Sequence, residues 1–262
     1  MVARSCQRLR RQGSGVRLCA SPILYKGNII ALVGGTKHGV VALNPADGSV
    51  VWASQPHDIS YASPRIINVD GQDQIVFMTS TAVMGLDAAN GNYLWESPVV
   101  NQYKNNAADV VWGPDNRLWV ATQVDGGTRV LKLSRTGDTT NVKQEWFNEK
   151  VKVFHWNAVR VGDYIYASIG GRVTALAAVN VKTGVVAWRK RGFDKALCIY
   201  ADDKLISLDE AGTLRLARVS PEGVKVLSAC PLTEKVSWTV PTLVGTTLYV
   251  RDSKRIMALD LG

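Results

Sequence analysis

Apolar residues in this chain alternate with small or polar ones over short stretches, and Gly, Pro, Asn and Asp fall between those stretches. No long window keeps a helical period. Short alternating runs bounded by turn residues predict β-strands. The clearest run is Val41-Ala-Leu-Asn-Pro-Ala-Asp-Gly-Ser-Val-Val-Trp52. Val41 and Leu43 alternate as a half-buried strand requires. Asn44 to Gly48 is turn chemistry, because Pro fixes φ, Asn and Asp tolerate the left-handed region, and Gly takes positive φ without cost. Val50-Val51-Trp52 then returns to β-favouring residues.

The same pattern recurs as Met84-Gly-Leu-Asp-Ala-Ala-Asn-Gly-Asn-Tyr-Leu-Trp95. Leu43, Gly48 and Trp52 become Leu86, Gly91 and Trp95, each moved by 43 residues. A third copy ends in Gly184 and Trp188 with the same internal gap. Between the copies lie other strand pairs, such as Ser21 to Ile30, Ser63 to Val76 and Asn157 to Tyr166. Four short strands per ~40–45 residues, repeated, predict the blades of a β-propeller. The expected blades are about 21–61, 62–106, 107–156, 157–196, 197–238 and a partial 239–262. The third and fifth are degenerate in their second half, around Glu145-Trp146 and Val226-Leu227, and the sixth lacks its last strand. Trp52, Trp95 and Trp188 are expected on outermost strands, packed between blades, with Gly48, Gly91 and Gly184 in the turns before them.

Charge changes this picture little. The net charge is +9, yet no acidic residue precedes Asp47, and seven of the 31 basic residues lie before it. The remainder nearly balances the 22 acidic residues. A nucleic-acid partner would need a basic face on the folded body, and none is predicted. Residues 1–20 are Arg-rich and are expected to be a disordered tail without a secretory apolar core. No apolar run reaches the ~18–20 residues of a membrane helix. Cys6, Cys19, Cys198 and Cys230 show no metal-binding spacing and are expected as free thiols.

The Leu-Asn/Asp-x-x-x-Gly-x-x-x-Trp copies resemble the repeats of pyrroloquinoline-quinone (PQQ)-type propellers, the superfamily of BamB-like envelope proteins and quinoprotein alcohol dehydrogenases. The resemblance covers residues ~18–262. It implies an all-β propeller of PQQ-like blades, about five and a half of them here. Against the eight blades common in such proteins, this implies the C-terminal part of a longer member and an incomplete or open ring. It further implies a non-catalytic scaffold for protein–protein interaction, in the periplasm or cell envelope, with association through exposed blade edges. The partners themselves are not implied. The alternative is a fragment of a PQQ-dependent oxidoreductase. In that family adjacent cysteines stack on the quinone and oxygen ligands hold calcium. No adjacent Cys pair is present, so no cofactor is expected, and PQQ with calcium belongs to the alternative.

Candidate chemistry is sparse. His38, His57 and His155 lack a metal-ligand spacing. Asp202-Asp203 and Asp209-Glu210 are expected as solvated turn carboxylates. Paired glycines at 34–35, 126–127 and 170–171 are expected in loops between second and third strands. Residues just before the innermost strands would line one mouth of the propeller channel. Among these, Tyr61, Asn106, His155, Trp156, Asn157 and Trp238 are the candidates for contacting a small ligand or a peptide.

Overall fold

Each alternating run forms one strand, and each turn cluster reverses the chain, so neighbouring runs pair antiparallel. A computed structural model describes residues 20–99, 101–122, 126–234 and 236–262. The first blade holds β1 (Ile23–Tyr25), β2 (Asn28–Leu32), β3 (Val40–Leu43) and β4 (Val50–Ala53). The second holds β5 (Arg65–Val69), β6 (Gln72–Met78), β7 (Ala82–Asp87) and β8 (Tyr93–Pro98). The third holds β9 (Val111–Trp112), β10 (Arg117–Ala121), β11 (Thr128–Thr136) and β12 (Thr139–Asn148). The fourth holds β13 (Ala158–Val161), β14 (Tyr164–Gly170), β15 (Thr174–Asn180) and β16 (Val186–Lys190). The fifth holds β17 (Leu197–Ala201), β18 (Lys204–Leu208), β19 (Thr213–Ser220) and β20 (Gly223–Pro231). The sixth has three strands, β21 (Thr242–Val244), β22 (Thr247–Arg251) and β23 (Ile256–Asp260). Every sheet is a meander in sequence order, as a propeller blade requires. The described residues contain no α-helix, so none is long and apolar enough to cross a membrane.

The turn between third and fourth strands is built identically in the three good repeats. The Gly48, Gly91 and Gly184 amides each donate to the carbonyl of Asn44, Asp87 and Asn180 at 2.8 Å. The side chains of those three residues accept from the amide two residues on, at 2.7–2.9 Å. All three glycines have φ between 71° and 75°, a region that costs a side chain free energy. A β-bulge follows in each blade, after Ala42, Gly85 and Ala178.

The chain divides into two compact units, Met1–Gly126 with Leu131–Gln144, and Gly127–Val130 with Glu145–Gly262. Within each, the core lies between blades. In the first unit Ile30, Val40 and Ala42 of blade one pack with Ile75, Phe77 and Leu86 of blade two. A second cluster joins Met78, Val83 and Trp95 to Leu118, Val120 and Leu131. In the second unit Leu176 of β15 packs with Phe193, Cys198 and Leu205, and Ile206 and Leu208 pack with Leu248 and Val250. A blade therefore buries its faces against its neighbours.

Trp52, Trp95, Trp146 and Trp188 lie on the outer strands of these blades. Trp52 covers Gly91, where an added Cβ would come within 2.5 Å of the indole. Trp146 covers Gly184 in the same way, at 2.7 Å, and its Nε1 donates to the Val181 carbonyl at 2.8 Å. Trp188 Nε1 donates to the Ser220 carbonyl at 2.9 Å. Trp95 instead folds down over Gly85 of its own blade, and its Nε1 donates to Gln74 Oε1 at 2.7 Å.

Candidate functional site

The six channel-mouth candidates separate into structural and accessible groups. In the first unit Asn106 is fully buried. Its amide N–H donates to Ser60 Oγ at 2.6 Å, its Nδ2 donates to the Thr79 carbonyl at 2.8 Å, and its Oδ1 accepts from Asn101 Nδ2 at 2.9 Å. Its carbonyl accepts from the Tyr61 and Ala62 amides. Asn106 thus ties the loop together, while the Tyr61 ring beside it stays partly exposed.

In the second unit Trp156 is buried and its Nε1 donates to the Ser168 carbonyl. Asn157 makes a two-way bond with the Cys198 backbone, accepting at 2.8 Å and donating at 2.7 Å. That pair joins the entry of β13 to β17 and leaves the Asn157 amide occupied. His155 and Trp238 remain, and the fold brings them together with ring centroids 5.0 Å apart. Phe154 and Trp156 pack edge-on against His155, at 4.8 and 5.2 Å.

Three connections converge on this aromatic group. Glu210 sits in the turn between β18 and β19, and its Oε1 accepts from Trp238 Nε1 at 2.7 Å. Its Oε2 accepts from Lys195 Nζ at 2.5 Å. Lys195 lies in the link from β16 to β17, where its amide donates to Thr174 Oγ1 at 2.7 Å. Trp238 lies in the link from β20 to β21. Asp209 beneath is buried, accepts from Arg215 Nη1 at 2.6 Å, and holds the Thr213 amide at 2.8 Å. The Arg215 guanidinium covers the Phe193 ring at 5.1 Å.

Asp209-Glu210 therefore corrects the expectation of solvated turn carboxylates. Both sit in a turn, but each is bound to a cation that the sequence places elsewhere. Asp202-Asp203 is a turn pair with exposed side chains and positive φ, as turn chemistry predicts. Lys195 and Phe154 were not legible as site residues, because neither belongs to a motif and only the blade-to-blade packing brings them near Trp238.

The electrostatics follow from burial. Burial pushes His155 down from its ordinary value. Glu210 opposes that shift, and Lys195 adds to it. His155 Nε2 is buried without a hydrogen-bond partner. Burial also works against the charged form of Glu210, but the bonds from Lys195 and Trp238 outweigh it and hold this carboxyl below its usual range. At neutral pH the site thus holds a neutral imidazole and an ionised carboxylate around an exposed indole. Cys198 is buried and its thiol is pushed up to about 12, so it is an inert core residue. Cys230 is exposed and free, and Cys6 and Cys19 lie outside the described residues. The tail expected over residues 1–20 also lies outside them, save for Ala20.

The quinone with calcium can be tested against these groups. Calcium takes six to eight oxygen ligands. Among the described residues no group of three or more His, Cys, Asp or Glu side chains is placed to hold a metal ion. The two carboxylates of the site already face Arg215 and Lys195.

Comparisons with known proteins place this geometry. A family model described as outer membrane protein assembly factor BamB matches residues 7–190. Among curated proteins nothing matches. BamB from Moraxella catarrhalis is similar in structure, with a TM-score of 0.64 and 14% identity over 93% of this chain and 70% of that one. The computationally designed Ika8 protein gives 0.62 and 10% identity, over 92% of this chain and 70% of that one. A europium-containing methanol dehydrogenase gives 0.54 and 12% identity, over 80% of this chain and 50% of that one. At these identities the structural likeness shows the fold, a PQQ-like β-propeller.

Proposed function

The chain belongs to the family of the outer membrane protein assembly factor BamB, and from that premise we propose that it is a non-catalytic β-propeller scaffold that binds a protein partner. The observation that carries this reading is Trp238. Its side chain is 62% exposed, yet its indole N–H is fixed by Glu210 and its ring is braced by His155. An exposed Trp that is already ordered loses little conformational freedom on binding, and Trp is the residue most enriched among binding hot spots. The loops around it and the blade edges form the binding surface. The family resemblance supports a place in the periplasm or cell envelope. The nearly balanced charge beyond the N-terminal stretch supports a protein partner over a nucleic acid.

Two measurements test the reading. A photo-crosslinking residue replacing Trp238 in the expressing cell is expected to give a discrete protein adduct, and one replacing the exposed Lys182 on the β15–β16 turn is not. Thermal unfolding of the purified chain with PQQ and calcium is expected to show no rise in midpoint. A clear rise, which a ligand of the native state must produce, would replace the scaffold by the quinoprotein oxidoreductase reading.

A further inference from the structure

We propose that the loop face around Trp238 binds an acidic segment of the partner protein, with an apolar side chain laid on the indole and carboxylates paired by Arg172, Lys190 and Arg191 on one side and Lys254 on the other. That there is a protein partner rests on the scaffold reading. The charge of that partner is carried by which cations of this face are already paired and which are not.

A chain of bonds runs from the fourth blade to Trp238. Gly170 pairs with Thr174 across the turn from β14 to β15, and Arg172 and Val173 stand exposed in that turn. Thr174 Oγ1 accepts from the Lys195 amide, Lys195 Nζ donates to Glu210, and Glu210 accepts from the Trp238 indole. Lys190 ends β16 opposite Leu176 of β15, and Arg191 follows it at the same end of the blade. Both are exposed. On the other side of Trp238, the Val236 carbonyl accepts from the Ser253 amide at 3.1 Å. That bond ties the Trp238 link to the turn between β22 and β23, where Lys254 is exposed. Val173 is 74% exposed and Val236 45%, so apolar surface accompanies the indole.

Most acidic groups at this end already hold a cation. Asp209 pairs with Arg215 at 2.6 Å, Glu210 with Lys195 at 2.5 Å, and buried Asp252 with Arg255 at 3.7 Å. Asp194 accepts from Thr174 Oγ1 at 2.5 Å, and Glu234 is exposed. Arg172, Lys190, Arg191 and Lys254 have no anionic partner among the described residues. The opposite ends of the fourth and fifth blades are balanced. There Lys182 pairs with Asp163, Lys204 pairs with Asp202, and Arg218 and Lys225 share a hollow with Asp203 and Glu222. Unpaired positive charge is thus gathered on the end that carries Trp238.

Such a face suits carboxylates presented one at a time. Arginine binds a carboxylate through its planar fork, and lysine binds it as a point charge. A nucleic-acid backbone or an anionic membrane would press its charges on Asp194 and Glu234 as well. A peptide avoids this by placing acidic residues only against the cations. Charges around the rim of an interface act mainly on encounter rate and on the choice of partner, while the fixed indole supplies the apolar anchor.

The probe is a labelled peptide in which two Glu-Asp pairs flank a central Gly-Phe-Gly, read by fluorescence anisotropy against the whole chain. Saturable binding is expected at low ionic strength, weakened about tenfold when Gln-Asn replaces each Glu-Asp pair and lost as salt rises to about 0.5 M. Arg172→Glu with Arg191→Glu is expected to weaken it about tenfold at an unchanged unfolding midpoint, because both side chains are exposed. Lys225→Glu, at the opposite end of the fifth blade, is expected to change nothing. No saturable binding, equal binding of the acidic and amide peptides, or binding indifferent to the double reversal overturns the proposal. So does tighter binding of an oligothymidylate or of phosphatidylglycerol vesicles that the double reversal abolishes, which would give this face to a nucleic acid or a membrane. The comparison of peptides uses the unaltered chain and decides the matter even if the variant folds poorly. A Trp238 adduct that persists with Arg172 and Arg191 reversed removes the acidic partner and keeps the scaffold. Charge-dependent peptide binding with no Trp238 adduct in the cell keeps the acid-binding face and removes the scaffold reading.

Discussion

The seam between the first and second blades and the seam between the second and third use the same residue type in opposite ways. At the first, Trp52 reaches across to lie on Gly91, and the turn glycine of one repeat becomes the seat for the tryptophan of the repeat before. At the second, the turn at Gly137 offers no such seat, since nothing lies within 4 Å of where its Cβ would be. Trp95 turns back onto its own blade, over Gly85, and is only 4% exposed. Ala occupies the matching position in the first and fourth blades. The missing side chain at Gly85 opens the space that Trp95 fills. The polar clamp is rebuilt by fully buried Gln74, which accepts from Trp95 Nε1 and donates to Thr140 Oγ1 of the third blade at 2.8 Å. A degenerate repeat thus keeps its seam by exchanging an aromatic-on-glycine contact for a buried amide bridge.

The largest expected effect tests the first seam. Gly91→Ala forces a side chain into positive φ and into the Trp52 ring. It should destabilise the chain by about 2–4 kcal/mol in urea unfolding. Gly48→Ala carries the same φ penalty with nothing within 4 Å, and should cost only about 1 kcal/mol. Equal losses would mean that the Trp52 contact contributes nothing.

The second seam should answer to Gln74→Leu. This change orphans Trp95 Nε1 and Thr140 Oγ1 in a buried site and should cost about 1–3 kcal/mol. The same urea titration, with Trp fluorescence as the probe, reads both seams.

A smaller effect separates the seams from the loops. Burial lowers His57 and His155 from their ordinary value of 6.5, against opposing pulls from Asp58 and Glu96 on the first and Glu210 on the second. The unfolded chain therefore binds these protons more readily than the folded one. Stability is full above about pH 6.5 and falls as pH drops below it. His155→Phe should flatten the fall in melting midpoint between pH 7 and 5.5, and an unchanged slope would discard that account. The smallest effect is expected from Glu210→Gln. It keeps an acceptor for Trp238 but loses the partly exposed Lys195 pair, which is worth under about 1 kcal/mol. The Trp238 emission should stay close to that of the unaltered chain.

Much of this was legible in the sequence because a β-blade is a local object. Alternation gives strands, turn residues give hairpins, and the 43-residue step of Leu43, Gly48 and Trp52 gives the repeat. The three-stranded sixth blade was legible for the same reason. The site was less so. A place before an inner strand names Tyr61, His155 and Trp238 as candidates, but Asn106, Trp156 and Asn157 share that place and are taken up by loop hydrogen bonds. No sequence signal separates an amide that reaches solvent from one that bonds a carbonyl 27 residues away.

The sequence by itself determined the strands, their turns and the all-β propeller class. Those features depend on neighbours within a few residues, where alternation and backbone preference decide. Only the tertiary structure decided that Trp52 lies on Gly91 while Trp95 lies on Gly85, and that Asp209 and Glu210 are each bound to a cation. These depend on which side chain arrives from the next blade, and packing across a seam is set by residues far apart in the chain.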